Sequence, residues 1–451
     1  MRVLIFHGYL LRGTGSNVYN ASLAQALAGL GHEVHLLCQD RRADELPWVG
    51  GEGPGSVTVH VPDIGGLLPV YVADRYEGFE VKTFPELSDA ELERYIAANV
   101  EAVRAVVEND GGPDAALANH LIMGPVILAR AGLEFATKVH GSDLSYTVRP
   151  HPDRFVPYAR EGTDAASGLL VGSRYTAEDL WKTVDDPGLP ERTRLGPPGV
   201  DTGEFRPAPE AEALPRVIEL AGRIEGEPVD ESFGRDGPAA AAALRRWAEG
   251  SPRVLFVGKL LTNKGVDLLV EAWPQVLREH PEATLLLAGF GDLRARLEAQ
   301  VSELGGAAAV SISISGRLEH AEVAEVMPAA QTLVMPSVFP EAFGMVAAEA
   351  AACGVPPVSA DHSGMREVSR QLARAVPEHA GLLSFEVGDD SVAAIASRIN
   401  GWLALGDDER ERVGAALAER VHELWSWERV AEGVIAASRG DLEALPRVAS
   451  D

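Results

Sequence analysis

The sequence predicts an α/β protein of two doubly wound domains, each built on a parallel sheet. Three observations predict it. Short apolar runs alternate with segments of helical apolar spacing. The alternation occurs in two blocks, and a stretch rich in Ala, Glu, Pro and Gly separates them. At ~100–200 residues per domain, 451 residues make two or three domains.

In the first block the apolar runs are Val3–Gly8, Val34–Cys38, Val57–Val61, Ala115–Ala118, Phe135–Val139 and Leu169–Val171. Each is short and bounded by turn formers, as buried parallel strands are. Ser16–Leu30 places Leu23, Ala24, Leu27 and Leu30 at helical spacing, and Asp89–Val107 and Thr176–Val184 are helical too. Pro197-Pro198-Gly199 and Arg206-Pro207 then punctuate the chain. Residues 206–251 read as an acidic inter-domain insertion with surface helices at Leu214–Ile224 and Ala239–Ala248, a solvated spacer in preference to a lid or partner surface. The second block has strands at Val254–Val257, Thr284–Ala288, Ser311–Ser315, Thr332–Met335 and Pro357–Ser359. Its helices are Val266–Arg278, Leu293–Leu304, Ala321–Ala330, Gly344–Ala352 and Val392–Ala404. An amphipathic helix at Trp427–Arg439 ends at Gly440. The expected domains are therefore 1–205 and 252–426, with the tail 427–451 crossing back to the first. Open parallel sheets bind ligands at the carboxyl ends of their strands. Two such sheets facing across a cleft would take two substrates.

Composition narrows the function. The chain carries 67 acidic and 40 basic residues, a net charge of −27. A basic nucleic-acid footprint is excluded, and broad docking on anionic lipid is disfavoured. Cys38 and Cys353 adjoin apolar runs, so buried free thiols in a reducing, cytoplasmic setting are expected. No run approaches the ~20 apolar residues of a membrane helix. The opening Met1–Phe6 reads as a strand and not as a leader. Oligomeric state is not legible.

Four motifs carry chemistry. Gly13-Thr14-Gly15-Ser16-Asn17 opens the first helix, where glycines and free N–H groups suit an anion. Val18 stands where a dinucleotide fingerprint needs Gly or Ala, and a plain turn capped by Ser16 or Asn17 fits equally well. Asp40 could imitate the ribose-binding acid at the end of the second strand. Gly258-Lys259-Leu260-Leu261-Thr262-Asn263-Lys264-Gly265 follows a strand and opens a helix. The chain has only five lysines, and two sit here. Such a pair can neutralise a pyrophosphate and stabilise a leaving nucleoside diphosphate. In Pro340-Glu341-Ala342-Phe343-Gly344-Met345-Val346-Ala347-Ala348-Glu349, two carboxylates suit sugar hydroxyls. The amides of Phe343, Gly344 and Met345 suit an anion or a sugar. The bland alternative is a capping Glu and one paired core Glu. Last, His140-Gly141-Ser142-Asp143 follows a buried strand, which puts His140 where it can meet a hydroxyl or a developing charge.

Taken together these strings resemble the retaining glycosyltransferases of the GT-B fold, in the family 4-like, group 1 set of bacterial sugar-nucleotide-dependent enzymes. The resemblance spans nearly the whole chain. It rests on Val257-Gly258-Lys259 with Lys264-Gly265, on Pro336-Ser337 with Glu341…Glu349, on Ala352-Cys353-Gly354-Val355-Pro356 and on Trp427-Glu428-Arg429-Val430. It implies two Rossmann-like domains facing each other across a cleft. It also implies roles: Gly15, Lys259 and Lys264 on the donor pyrophosphate, Glu349 on the ribose, Arg317 bordering the base, Glu341 with the Phe343–Met345 amides on the donor sugar, and His140 beside the reacting sugar. Lys259 stands where the family usually has Arg, and Ser363-Gly364 replaces a common glycine pair.

The activity expected is transfer of a hexosyl group from a nucleoside-diphosphate sugar to an unidentified acceptor hydroxyl, with retention and without a metal. The sequence has no Asp-x-Asp, and the sugar nucleotide is a co-substrate, so no cofactor is expected. Asn119, His120, Asp143 and Tyr146, placed after predicted strands, are the acceptor-side candidates. The competing readings are a nucleotide-sugar 2-epimerase of the same architecture and a degenerate, non-catalytic binding subunit.

Overall fold

The computed structural model describes residues 1–12, 15–51, 53–71, 78–229 and 234–448. The chain forms two compact units, 1–199 with 427–451, and 200–426.

The first unit contains strands β1 (Arg2–Phe6), β2 (Glu33–Leu37), β3 (Ser56–His60), β4 (Leu67–Val70), β5 (Glu80–Thr83), β6 (Ala115–Asn119), β7 (Ala136–Val139), β8 (Gly168–Val171) and β9 (Thr193–Leu195). Seven of them make one parallel sheet in the order β3-β2-β1-β6-β7-β8-β9, and β4-β5 pair separately. The order reverses between β1 and β6, whose register pairs Val3 with Ala115 and Phe6 with Ala118. The loops leaving β1 and β6 therefore diverge to opposite sides and open a crevice at their carboxyl ends. One face of the sheet buries Leu4, Phe6 and Leu37 with Leu92, Ile96 and Val103 of helix Asp89–Asp110. The other buries Val3, Ile5 and Leu36 under Leu23 and Leu27 of helix Ser16–Gly29. Val430, Ala431, Val434 and Ala437 of helix Trp427–Ser438 complete that face. β4 and β5 escape a reading by apolar runs because they are four residues each and carry Pro69, Glu80 and Lys82.

The second unit contains β10 (Arg253–Val257), β11 (Thr284–Ala288), β12 (Ile312–Gly316), β13 (Thr332–Met335), β14 (Pro357–Ala360) and β15 (Ser384–Phe385). They form a parallel sheet in the order β12-β11-β10-β13-β14-β15, reversing between β10 and β13. The helix expected through Ala330 ends at Val326 and tightens into a 3₁₀ turn at Met327–Ala329. Pro328 there has no N–H to continue the ladder.

Residues 206–251 are not a spacer between domains. They belong to the second unit. Helices Glu210–Ile224 and Gly237–Glu249 bury Val217, Leu220, Ile224, Leu244 and Trp247 in its core. Trp247 is fully buried, and its Nε1–H donates to the Val254 carbonyl at 3.0 Å. The acidic composition belongs to the outer faces, while the inner faces keep apolar residues at helical spacing. Both cysteines are buried free thiols. Among the described residues no helix is long and apolar enough to cross a membrane.

Trp247→Ala should cost about 3–5 kcal/mol. Chemical denaturation of the full chain checks this. A solvated spacer residue would move the midpoint by no more than about 0.5 kcal/mol.

Candidate functional site

In the second unit, three loops at the carboxyl ends of β10, β13 and β14 are laced together. Gly265 takes φ 63° between the lysine loop and helix Val266–Glu279. A Cβ there would lie 2.1 Å from the Pro336 carbonyl oxygen, so only glycine allows this approach. The Asn263 carbonyl accepts from the N–H groups of Val338 (3.0 Å) and Phe339 (3.2 Å) and from Ser337 Oγ (3.1 Å). Ser337 Oγ also lies 2.9 Å from Glu341 Oε1, the oxygen that pairs with the Lys264 ammonium. From the β14 loop, Ser363 Oγ accepts the Glu341 N–H at 3.0 Å, and the Gly364 N–H donates to the Glu341 carbonyl at 2.9 Å. His362 donates through Nε2 to the Ser337 carbonyl at 2.8 Å. Ser363 holds φ 50°, a left-handed backbone that favours glycine, and its hydroxyl positions Glu341.

Lys264 and Glu341 are thus in direct contact. Lys259 is exposed, and its ammonium makes no hydrogen bond or ion pair among the described residues. Gly344, at φ 125°, turns the chain into helix Met345–Ala352. Phe343 is buried with its ring edge-on to Trp425 at 5.2 Å, so its side chain belongs to the core and only its amide is left for a ligand. Glu349, 5% exposed, accepts from His320 Nε2 at 2.9 Å. That hydrogen bond, with the Glu349 charge, raises the His320 pKa against the cost of burial. Phe205 packs on the imidazole at 4.8 Å. The Arg317 N–H donates to the Gly234 carbonyl at 2.9 Å, and its guanidinium meets Glu319 at 3.1 Å.

The first unit holds a buried polar relay at its own crevice. His7 donates through Nε2 to the Leu10 carbonyl (2.9 Å) and Asn17 Oδ1 (3.0 Å) and accepts at Nδ1 from Asn20 (2.9 Å). Asn20 Oδ1 accepts from Asn119, whose Oδ1 takes the Nε2–H of His140 at 2.9 Å. The relay sets the His140 tautomer, because an amide oxygen only accepts. His120, at φ 65°, places Nε2 3.1 Å from Ser16 Oγ, with its ring 4.8 Å from that of His140. Asp143 is fully buried and accepts the N–H groups of Leu121, Gly141 and Leu144. Burial pushes its pKa up while those donors pull it down. Burial pushes His7 and His120 down to about 3. His140 falls well below the histidine range, through burial and then the neighbouring His120, Lys138 and His7. Burial also lowers Lys138 to about 7.

The structure therefore brings Asn119, His120, His140 and Asp143 together. Tyr146 stands apart, 57% exposed on the turn Leu144–Val148. Gly15 caps helix Ser16–Gly29 at φ 64° with open space beside it, whereas Gly13 and Thr14 lie outside the described residues. Asp40 does not stand free as a ribose acid. It pairs with Arg12 at 3.0 Å and accepts the N–H groups of Leu11 and Arg42. The sequence reading assigned no role to His7, Asn20, Ser337, His320 or Ser363. Ser337 and Ser363 stood in strings it singled out, and His7 carried a signal as a polar residue ending an apolar strand.

Two parallel sheets with the reversed order and loop sites at their carboxyl ends define the GT-B glycosyltransferase architecture. The chain superimposes along 98% of its length on sucrose-phosphate synthase from Thermosynechococcus elongatus, covering 99% of that chain, with TM-score 0.58 and 20% identity. HepE of Anabaena, solved in complex with UDP and glucose, aligns with TM-score 0.62 and 16% identity over 99% of this chain and 100% of its own. A Glycosyltransferase Family 4 model matches residues 13–204, and a Glycosyl transferases group 1 model matches 243–420. The chain belongs to the group 1 glycosyltransferases of family 4-like type. It is 29% identical over 450 residues to the D-inositol 3-phosphate glycosyltransferase of Acidothermus cellulolyticus, across 95% of this chain and 86% of that protein.

The depressed histidines make stability pH-dependent. A folded-state pKa near 3 for His7 and His120, against 6.5 unfolded, gives stability that is complete above pH 6.5 and lost as pH falls toward 3. The limiting slope is about 1.4 kcal/mol per pH unit for each residue. Urea unfolding at pH 7 and pH 5 should show this loss. His120→Asn, which suits the left-handed backbone, should flatten it. An unaltered slope in that variant would remove His120 as a source.

Proposed function

We propose that the protein is a retaining, metal-independent glycosyltransferase that moves a hexosyl group from a nucleoside-diphosphate sugar to an acceptor hydroxyl. The observation that carries this reading is the Lys264–Glu341 contact, held by Ser337 and Ser363 where the second sheet reverses order. There a cation suited to a pyrophosphate and a carboxylate suited to a sugar hydroxyl share one place. HepE, which has the same fold, was solved with UDP and glucose. The relative from Acidothermus cellulolyticus is named for transfer to D-inositol 3-phosphate.

In this reading the C1–O bond to the diphosphate breaks through an oxocarbenium-like state, and charge builds on the departing oxygens. Lys264 and Lys259 neutralise that charge, with Gly15 beside the pyrophosphate. Glu349, oriented by His320, takes the ribose hydroxyls, and Arg317 borders the base. Glu341 and the amides of Phe343, Gly344 and Met345 hold the hexose. The acceptor oxygen attacks C1 on the face the diphosphate leaves, and its proton passes to a departing phosphate oxygen. His140, neutral and fixed in one tautomer, offers a dipole beside the reacting sugar without a competing charge. Asn119, His120 and Asp143 shape the acceptor side, and Tyr146 is an exposed member of it. A cytoplasmic setting suits the two free thiols.

UDP-, GDP-, ADP- and TDP-sugars, each with D-inositol 3-phosphate and with or without EDTA, test the reading. One donor should support transfer that is unaffected by EDTA and keeps the donor's anomeric configuration, read by proton NMR. Lys264→Ala should lower kcat/KM by roughly 10²–10³-fold. Glu349→Ala should raise the donor KM with a smaller change in kcat. An inverted product, or full activity in Lys264→Ala, would sink the mechanism.

A further inference from the structure

The first unit carries a second cluster of ligating groups that shares no residue with the relay. We infer that His35, His60 and Asp110 form a binding site for a divalent transition metal of zinc type. His35 Nδ1 lies 3.0 Å from His60 Nε2 and 3.7 Å from Asp110 Oδ2. One ligand atom from each of the three residues lies within 4.8 Å of the other two. Two nitrogens on one tetrahedral zinc, at roughly 2.0–2.1 Å each, sit about 3.3 Å apart, so the spacing needs only a small adjustment.

The fold dictates the convergence. In parallel register His35 faces Thr58 and Leu37 faces His60, so Glu33, His35 and His60 share one face of the β2–β3 edge. Asp110 ends helix Asp89–Asp110, which packs on that face. His35 is 3% exposed in a position where an apolar residue would pack. His60 is half-buried and Asp110 exposed, which leaves a path for an ion.

The protonation pattern points the same way. His35 Nε2 is 3.3 Å from Glu33 Oε1, and a carboxylate only accepts, so that nitrogen carries the proton. In the neutral ring Nδ1 therefore presents a lone pair toward His60 and the Asp110 carboxylate. Arg2, through Nε at 3.3 Å, holds the other oxygen of Glu33 and fixes this orientation. A carboxylate behind the remote N–H is the usual support of a metal-bound imidazole. Two imidazoles, one carboxylate and an open fourth position make a borderline-soft donor set, which zinc favours over magnesium or calcium. The second cluster of similar composition, Glu378, His379 and Glu409, differs because Arg412 already neutralises both carboxylates. Bound metal would tie the carboxyl end of helix Asp89–Asp110 to the sheet edge. It would take no part in transfer.

The full chain, stripped with EDTA and desalted, is titrated with Zn²⁺ by calorimetry and with Co²⁺ by visible absorption. One Zn²⁺ per chain is expected, with a Tm rise of about 5 °C or more at a hundredfold excess over Kd. Co²⁺ should give the intense bands of a four-coordinate site. His60→Gln and Asp110→Asn, both at solvent-reachable positions, should each weaken binding at least tenfold. Glu409→Gln should bind as the parent does, and kcat should not change in His60→Gln. Absence of Zn²⁺ binding below about 1 mM would overturn the site. So would undiminished binding in the His60→Gln, Asp110→Asn double variant.

Discussion

Glu341 is the residue on which the second-unit site depends. Its side chain meets Lys264 from the β10 loop and Ser337 from its own loop, while its backbone is held by Ser363 and Gly364 from the β14 loop. Three loops from three strands thereby share one carboxylate-bearing residue. A charge pair that is partly open to water contributes modestly to stability. Its worth here lies in geometry, because both partners keep capacity for further bonds. An ammonium has three donors and a carboxylate has several acceptor sites, so a ligand can join the pair without dismantling it.

The first unit solves a different problem. His7, Asn20, Asn119 and His140 are polar groups at the carboxyl ends of buried strands, where an unpaired donor or acceptor is costly. Each is satisfied by the next, and the direction of donation is the same along the relay. Such a network is rigid because no member can turn without stranding a neighbour. Burial keeps the histidines neutral, and at His7 an added proton would also displace the hydrogen bond that Nδ1 accepts from Asn20. The helix Ser16–Gly29 is part of the same arrangement: Asn17 and Asn20 reach into the relay and Ser16 reaches His120.

Much of the fold was legible in the sequence because buried parallel strands are short, apolar and bounded by turn formers. The runs at Val3–Gly8, Val34–Cys38, Val254–Val257 and Thr284–Ala288 each coincide with a strand to within a residue or two. Reading failed where composition masked pattern. Residues 206–251 look solvated by residue count, yet Val217, Leu220, Ile224, Leu244 and Trp247 lie on inner faces. Helix Asp407–Trp425 hides in the same way behind its charged residues, although Val413, Leu417 and Val421 are buried.

The sequence by itself determined the alternation of strand and helix, the two blocks and the residue types gathered near strand ends, because these are local properties of neighbouring residues. Lys259, Lys264, Glu341, Glu349 and His140 were all visible as motifs. Only the tertiary structure decided which of these residues meet. Lys264 and Glu341 are 77 positions apart and touch because β10 and β13 are neighbours in the sheet. His320 reaches Glu349 across 29 positions, and Asn20 reaches Asn119 across 99. Strand order is set by the packing of whole helices on both faces of a sheet, a non-local condition that no single stretch of sequence contains.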